Sequence, residues 1–314
     1  MDAAALTALF SAGPLVLDGG LATQLEAQGN DLSDALWSAR LLVERPEEIR
    51  RAHLTFYRAG ARVATTASYQ ATVDGFARLG ITRDQALGLM RLSVDLASQA
   101  RDAYRAECAP FDPDPLLVAA SVGPYGAFRA DGSEYRGRYG LSVAALRDFH
   151  RERLTVLVDT PADLLACETI PELEEGEALA DLFADVPGAA GWLSFSFADG
   201  ARLRSGAPAE EAFALADTSA AVVAVGLNCT SPEFALELVE RARAVTAKPI
   251  VVYPNSGENW DATARAWTAA PAGHSAVAQP AEAARAWLDA GATLVGGCCR
   301  VTPAALAEMA AAVG

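Results

Sequence analysis

The chain has 314 residues, 52% of them hydrophobic and 21% charged, which is ample for a buried core and slightly beyond the usual size of one domain. Forty Asp and Glu against 25 Lys and Arg give a net charge of −15, a surface field that argues against nucleic acid and acidic membranes as partners. No apolar run reaches the roughly 20 residues that span a bilayer, the segment Met1–Phe10 lacks the basic start of a secretory signal, and five cysteines, an odd number, do not read as a disulfide framework. A cytoplasmic protein with metal-binding or catalytic thiols is the expectation.

Eight short apolar runs follow one another along the chain: Pro14–Asp18, Ala61–Ser68, Leu116–Val122, Ala162–Cys167, Gly191–Phe197, Ala221–Leu227, Pro249–Tyr253 and Ala292–Val295. They are apolar at consecutive positions, which suits strands of a parallel sheet buried on both faces. Helix-competent segments lie between them. Pro46-Glu47-Glu48, Ser231-Pro232-Glu233 and Thr302-Pro303 carry proline at the first helical position with a capping hydroxyl or first-turn acids beside it. Ala59-Gly60 and Ala290-Gly291 supply glycine stops just before the next strand. Eight strand-then-helix units predict one (β/α)8 TIM barrel domain over 1–314, with a doubly wound open sheet as the other topology of the same rhythm.

In such a barrel, function belongs where strands end and βα loops begin. Those ends read Asp18-Gly19-Gly20, Thr65-Thr66-Ala67-Ser68-Tyr69, Cys167-Glu168-Thr169, Asn228-Cys229, Tyr253-Pro254-Asn255 and Gly296-Gly297-Cys298-Cys299-Arg300. Adjacent residues of a regular strand point to opposite faces, so Cys298 and Cys299 can share a metal only where the backbone has left strand geometry. The two preceding glycines permit that bend. With Cys229 they make three thiolates, the number of protein ligands in a catalytic zinc site with one open position. Such an electron-rich centre favours alkylation of a thiol over hydrolysis.

Other readings stand beside these. Cys108 and Cys167 are expected to be structural. Asp18 can stabilise the Gly19-Gly20 turn, and Glu168 can cap the helix beginning near Pro171. His53, His150 and His274 share no spacing, so they are expected to be solvated or packed, and Tyr69 and Trp37 can be ordinary core aromatics.

The segments Gly226-Leu227-Asn228-Cys229 and Gly296-Gly297-Cys298-Cys299 resemble the hallmarks of the homocysteine S-methyltransferase family. The likeness extends to Leu17-Asp18-Gly19-Gly20, Thr66-Ala67-Ser68-Tyr69-Gln70, Cys167-Glu168-Thr169 and Tyr253-Pro254-Asn255-Ser256-Gly257-Glu258, and so covers nearly the whole chain. It implies a zinc-bearing barrel that methylates L-homocysteine to methionine, with Zn2+ on Cys229, Cys298 and Cys299, and with Asp18 and Glu168 on the homocysteine amino group. Thr66, Tyr69, Asn228 and Asn255 are further candidates for substrate contact. The chain has no room for cobalamin or folate modules, and its Thr66–Gln70 segment resembles the branch using a sulfonium donor, S-methylmethionine or S-adenosylmethionine, more than the betaine branch. Selenocysteine is the alternative acceptor. Two further readings are a zinc hydrolase, which would usually need histidine or carboxylate ligands, and a non-catalytic zinc or thiol site closed by a fourth ligand.

Overall fold

Each of the eight apolar runs contributes one parallel strand to a barrel in the computed structural model, which describes residues 1–32, 37–111, 115–257, 259–261, 266–268 and 279–313. The strands are β1 (Leu15–Val16), β2 (Val63–Thr65), β3 (Leu117–Val122), β4 (Leu164–Ile170), β5 (Gly191–Phe195), β6 (Val222–Asn228), β7 (Ile250–Tyr253) and β10 (Leu294–Val295). A two-stranded antiparallel ribbon, β8 (Asn259–Asp261) and β9 (Ala266–Thr268), lies between β7 and β10 in sequence. Hydrogen bonding runs β1-β10-β7-β6-β5-β4-β3-β2, and a parallel bridge between Leu17 and Val63 joins the two ends. That bridge selects the barrel over the open sheet.

Consecutive apolar residues are needed because alternate positions serve two cores. Leu117 and Ala119, Leu164 and Ala166, Trp192, Ala224, Val251 and Leu294 fill the barrel interior. Val118, Ala120, Leu165, Cys167, Leu193, Val225, Val252 and Val295 face the helices outside, so Cys167 is a packing residue. The first helix, Ala3–Ala12, is capped by the Asp2 carboxylate accepting from the Ala5 N–H at 2.8 Å. Its Leu6 and Phe10 join the interior cluster at the N-terminal end of the barrel.

The helices between strands begin and end as their residues dictate. Helix Pro46–Arg58 has proline in its first turn, Glu47 and Glu48 there too, and Arg58 in its last turn, each favourable to the helix dipole. Gly60 (φ 102°) and Gly291 (φ 108°) take the left-handed conformation that ends the preceding helices. At Gly226 the demand is steric, since an added Cβ would lie 1.8 Å from the Val251 carbonyl oxygen across the β6–β7 ladder. Gly226→Ala should therefore destabilise by about 3 kcal/mol or more, the upper end of overpacking costs. A urea midpoint unchanged from the wild type would contradict this.

Along each strand the same two-residue period turns polar near the C-terminal end. Ser121 follows Leu117 and Ala119, Glu168 follows Leu164 and Ala166, Ser194 follows Trp192, and Asn228 follows Ala224 and Gly226. Apolar filling below and polar groups above leave the reactive side chains at one mouth of the barrel.

Candidate metal centre and substrate cavity

Cys229 follows β6 in a left-handed conformation (φ 46°), while Cys298 and Cys299 lie in a turn beyond β10. The neighbouring loops hold that turn: Gly297 N–H donates to the Asp18 carbonyl (3.1 Å), Cys298 N–H to Pro254 O (2.8 Å), and Ser256 N–H to Cys299 O (3.1 Å). The left-handed residue of the turn is Arg300 (φ 67°). Gly296 and Gly297 are not left-handed; they are glycines because a Cβ would meet Leu17 at 2.8 Å and Val301 at 2.3 Å. Close packing, of Gly296 on the end of the first strand and of Gly297 on Val301 just beyond the turn, and not a left-handed backbone, is what these two positions require.

The result is a triangle of thiols. Cys229 Sγ lies 2.9 Å from Cys298 Sγ and 3.8 Å from Cys299 Sγ, and the last two are 4.0 Å apart. Tetrahedral zinc with Zn–S bonds of about 2.3 Å requires S–S edges of about 3.8 Å, so two edges match and the third must open slightly. The contacts among the thiols pull each of them in both directions, and burial, the charge of a neighbouring cysteine and the nearby Glu168 carboxylate leave all three well above the usual range. Three thiolates this close need a cation, and the donor set fits zinc. Among the described residues this is the one group of three or more ligating side chains that converges.

Asp18 and Glu168 face the same cavity. Asp18, 3% exposed, accepts from the Thr65 N–H (2.7 Å) and hydroxyl (2.9 Å), so it ties β1 to β2 and does not stabilise its own turn. Glu168, 7% exposed, accepts from the Ser121 hydroxyl and does not cap the following helix, whose N-cap is Glu172. Burial pushes Asp18 up to about 8, against its Thr65 bonds, and Glu168 up to about 7, against bonds from Ser121 and Tyr253. Both carboxyls are reluctant to ionise alone, and a cationic group between them would reverse that.

The other sequence candidates divide. Thr66 and Tyr69 line the cavity, but the Thr66 hydroxyl is engaged with Ser68 (2.7 Å) and the Ser121 N–H (3.0 Å). Asn228 does not line it. Its carboxamide accepts from the Thr169 N–H (2.7 Å) and Ser194 hydroxyl (2.8 Å) and donates to the Thr169 hydroxyl (2.7 Å). It thereby holds Thr169 at φ 62° beside Glu168, a positioning role of the kind that strained backbone at sites requires. Asn255 is also absent from the lining; its N–H donates to Thr230 O at 3.0 Å.

His53 and His150 are wholly buried, which removes the solvated alternative for both. His150 contacts Glu175 (2.8 Å) and Arg153 (2.7 Å), and Arg153 also donates to the carbonyls of Tyr69 and Gly123. Cys108 ends the long helix Arg83–Cys108, away from the thiol triangle. The side chain of Trp37, and the whole of Glu258 and His274, lie outside the described residues. Sequence reasoning missed Glu134 and Tyr135, which line the cavity from far inside the loop after β3, and it passed over Tyr253 although Tyr253 stands at a strand end.

The cavity measures about 370 Å³ among the described residues. A family model described as homocysteine S-methyltransferase matches residues 15–313. The homocysteine S-methyltransferase of Escherichia coli strain K12 is 50% identical over 299 residues, covering 95% of this chain and 94% of that protein. A selenocysteine Se-methyltransferase of Brassica oleracea var. italica is 45% identical, with 93% and 86% covered. The crystal structure of the metallated homocysteine methyltransferase MmuM from Escherichia coli superposes with a TM-score of 0.84 at 48% identity, covering 95% of this chain and 96% of that one. With such likeness along nearly its whole length, the chain belongs to the homocysteine S-methyltransferase family and is a methyltransferase.

Proposed function

We propose that this enzyme is a zinc-dependent homocysteine S-methyltransferase that takes its methyl group from a sulfonium donor. The observation that carries the reading is the thiol triangle of Cys229, Cys298 and Cys299 on the wall of the cavity that also holds Asp18 and Glu168. Zinc bound there supplies a Lewis acid that keeps a substrate thiol deprotonated at neutral pH, where a free thiol of pKa about 8.5 is mostly protonated. Asp18 and Glu168 bind the amino acid's ammonium and so aim its sulfur at the donor. Thr65 and Ser121 fix those two carboxyls, and Asn228 fixes the backbone beside one of them. Positioning of this kind is worth up to about 7–11 kcal/mol in favourable intramolecular cases.

The transfer balances without a general acid. The acceptor sulfur forms the new S–CH3 bond, the donor's S–CH3 bond breaks with its electron pair remaining on the departing sulfur, and the sulfonium leaves as a neutral thioether. The proton of the acceptor thiol is lost to solvent when its sulfur binds as a thiolate, and none has to be delivered to the departing thioether. A three-thiol centre requires reducing surroundings, as in the cytoplasm. No helix among the described residues is long and apolar enough to cross a membrane.

The cavity volume lies near the low end of the about 300–1,000 Å³ typical of small-molecule sites. It suits two small amino acids better than the same pair with an added adenosyl group. S-Methylmethionine is therefore expected to give the highest initial rate with homocysteine, S-adenosylmethionine a lower one, and betaine none. Dimethylglycine formation from betaine would overturn the donor class, and loss of no activity on chelation would overturn zinc. The Brassica relative favours a second acceptor, so selenocysteine belongs in the same panel.

A further inference from the structure

The loop after β3 turns back over the barrel mouth through two left-handed residues, Ala130 (φ 54°) and Gly132 (φ 77°). A short helical turn, Ser133–Tyr135, follows. The Asp131 carboxylate accepts from the Ser133 N–H at 3.0 Å, and Gly126 lies so close beneath that a Cβ there would meet the Glu134 nitrogen at 2.3 Å. This packing fixes Glu134 and Tyr135 as part of the cavity wall. Neither residue is at a strand end, and neither is a metal ligand.

Glu134 is 6% exposed, and its Oε2 has no hydrogen-bond partner among the described residues. No Lys, Arg or His among them lies within ion-pair distance of it; the charges that act on it from a distance are Asp131, which opposes its ionisation, and Arg136, which favours it, while Arg204 over the Tyr135 ring is engaged with Ser196 Oγ (3.2 Å) and the Cys229 carbonyl (3.4 Å). Burial raises the Glu134 carboxyl above its ordinary value, against the pull of its own and the Gly132 N–H. An unpaired buried carboxyl is costly unless a ligand completes it. Tyr69 and Tyr135 share this wall, and both phenols lie within the electrostatic reach of Cys229 and of Glu134. The cavity is lined by the carboxyls of Asp18, Glu26, Asp31, Glu134 and Glu168. Asp18 and Glu168 are held by Thr65 and Ser121 and Glu26 lies in the field of Arg300, whereas Glu134 keeps an oxygen without a partner among the described residues, on a lining that also holds Tyr69 and Tyr135.

We propose that Glu134 binds the positive charge of the sulfonium methyl donor, with the rings of Tyr69 and Tyr135 forming the walls of the same subsite. A carboxylate and π faces together recognise an alkylated cation that has no N–H to donate. The charge disappears as the methyl leaves, so Glu134 stabilises the bound donor more than the transition state. Its contribution belongs in the donor's KM and much less in kcat. The neutral thioether product no longer matches the subsite and is released.

This inference rests on the sulfonium reading above, and its test separates the two. S-Methylmethionine and methionine differ only by the added methyl and its charge, so their affinities for the zinc-loaded enzyme, measured by calorimetry without homocysteine, report recognition of that charge directly. The wild type is expected to prefer S-methylmethionine by about tenfold or more. Glu134→Gln should reduce the preference to about twofold and raise the donor KM in proportion, while zinc content and homocysteine KM stay within about twofold. Glu134→Asp should restore part of the preference. Retention of the full preference in Glu134→Gln, or equal losses for homocysteine and donor, overturns the assignment. A wild type that uses no sulfonium at all would instead sink the donor class.

Discussion

Cys298→Ala is expected to leave the purified protein without stoichiometric zinc and to lower methyl transfer by more than about 100-fold. The magnitude is a lower bound, because losing even an outer-shell partner of a metal ligand typically costs about 10–100-fold. Two thiols remaining on different loops cannot close the site, and the same loss is expected for Cys229→Ala and Cys299→Ala, since each thiol is a corner of one triangle with edges of 2.9, 3.8 and 4.0 Å. Cys167→Ala is the control. Cys167 points outward into the helix-facing core, away from the cavity, so its loss should reduce stability by about 1–2 kcal/mol and leave zinc in place. Metal analysis of the four variants decides the matter. Full zinc occupancy in Cys298→Ala, or zinc loss in Cys167→Ala alone, would break the assignment.

The barrel was legible because both faces of each strand are buried, which writes a continuous apolar run into the sequence wherever a strand occurs. Even β1 and β10, only two residues each, lie within longer apolar runs. The ribbon β8–β9 was not legible, since three-residue strands leave no period to read. Strand-end position located the three cysteines, Asp18 and Glu168. It did not distinguish cavity lining from support. Asn228 stands at a strand end as Glu168 does, yet the inward period that carries it beside Ser194 uses its carboxamide on Thr169. Glu134 and Tyr135 were invisible for the opposite reason: they reach the cavity through a loop path set by Ala130, Gly132 and the close approach of Gly126, which no strand period encodes.

Glu168→Gln is expected to lower kcat/KM for homocysteine by about 10- to 150-fold, the equivalent of a charged hydrogen bond worth about 1.5–3 kcal/mol, while zinc content is unchanged. Glutamine keeps the shape and can still face the Ser121 hydroxyl, so the loss reports charge. The pH profile supplies an independent check. Burial pushes Glu168 up to about 7 and Asp18 up to about 8, with the Glu168 charge adding to the rise at Asp18. Only the ionised forms pair with the substrate ammonium, so kcat/KM should rise with pH across about 6–8. In Glu168→Gln the limb assigned to Glu168 should vanish and the Asp18 limb should move to lower pH, because the Glu168 charge is one of the causes that raise it. Stability should run the other way. The folded pKa values lie above the reference values of 4.5 and 3.8, so the folded chain holds protons that the unfolded chain has lost, and stability present at acid pH declines as pH rises through about 7–8. Homocysteine, whose ammonium compensates the ionised pair, should raise the melting temperature more at about pH 8 than at about pH 6. A kcat/KM profile flat over that range, together with a Glu168→Gln effect below about tenfold, would remove both carboxyls from ammonium recognition and leave the thiol triangle as the only assigned part of the acceptor site.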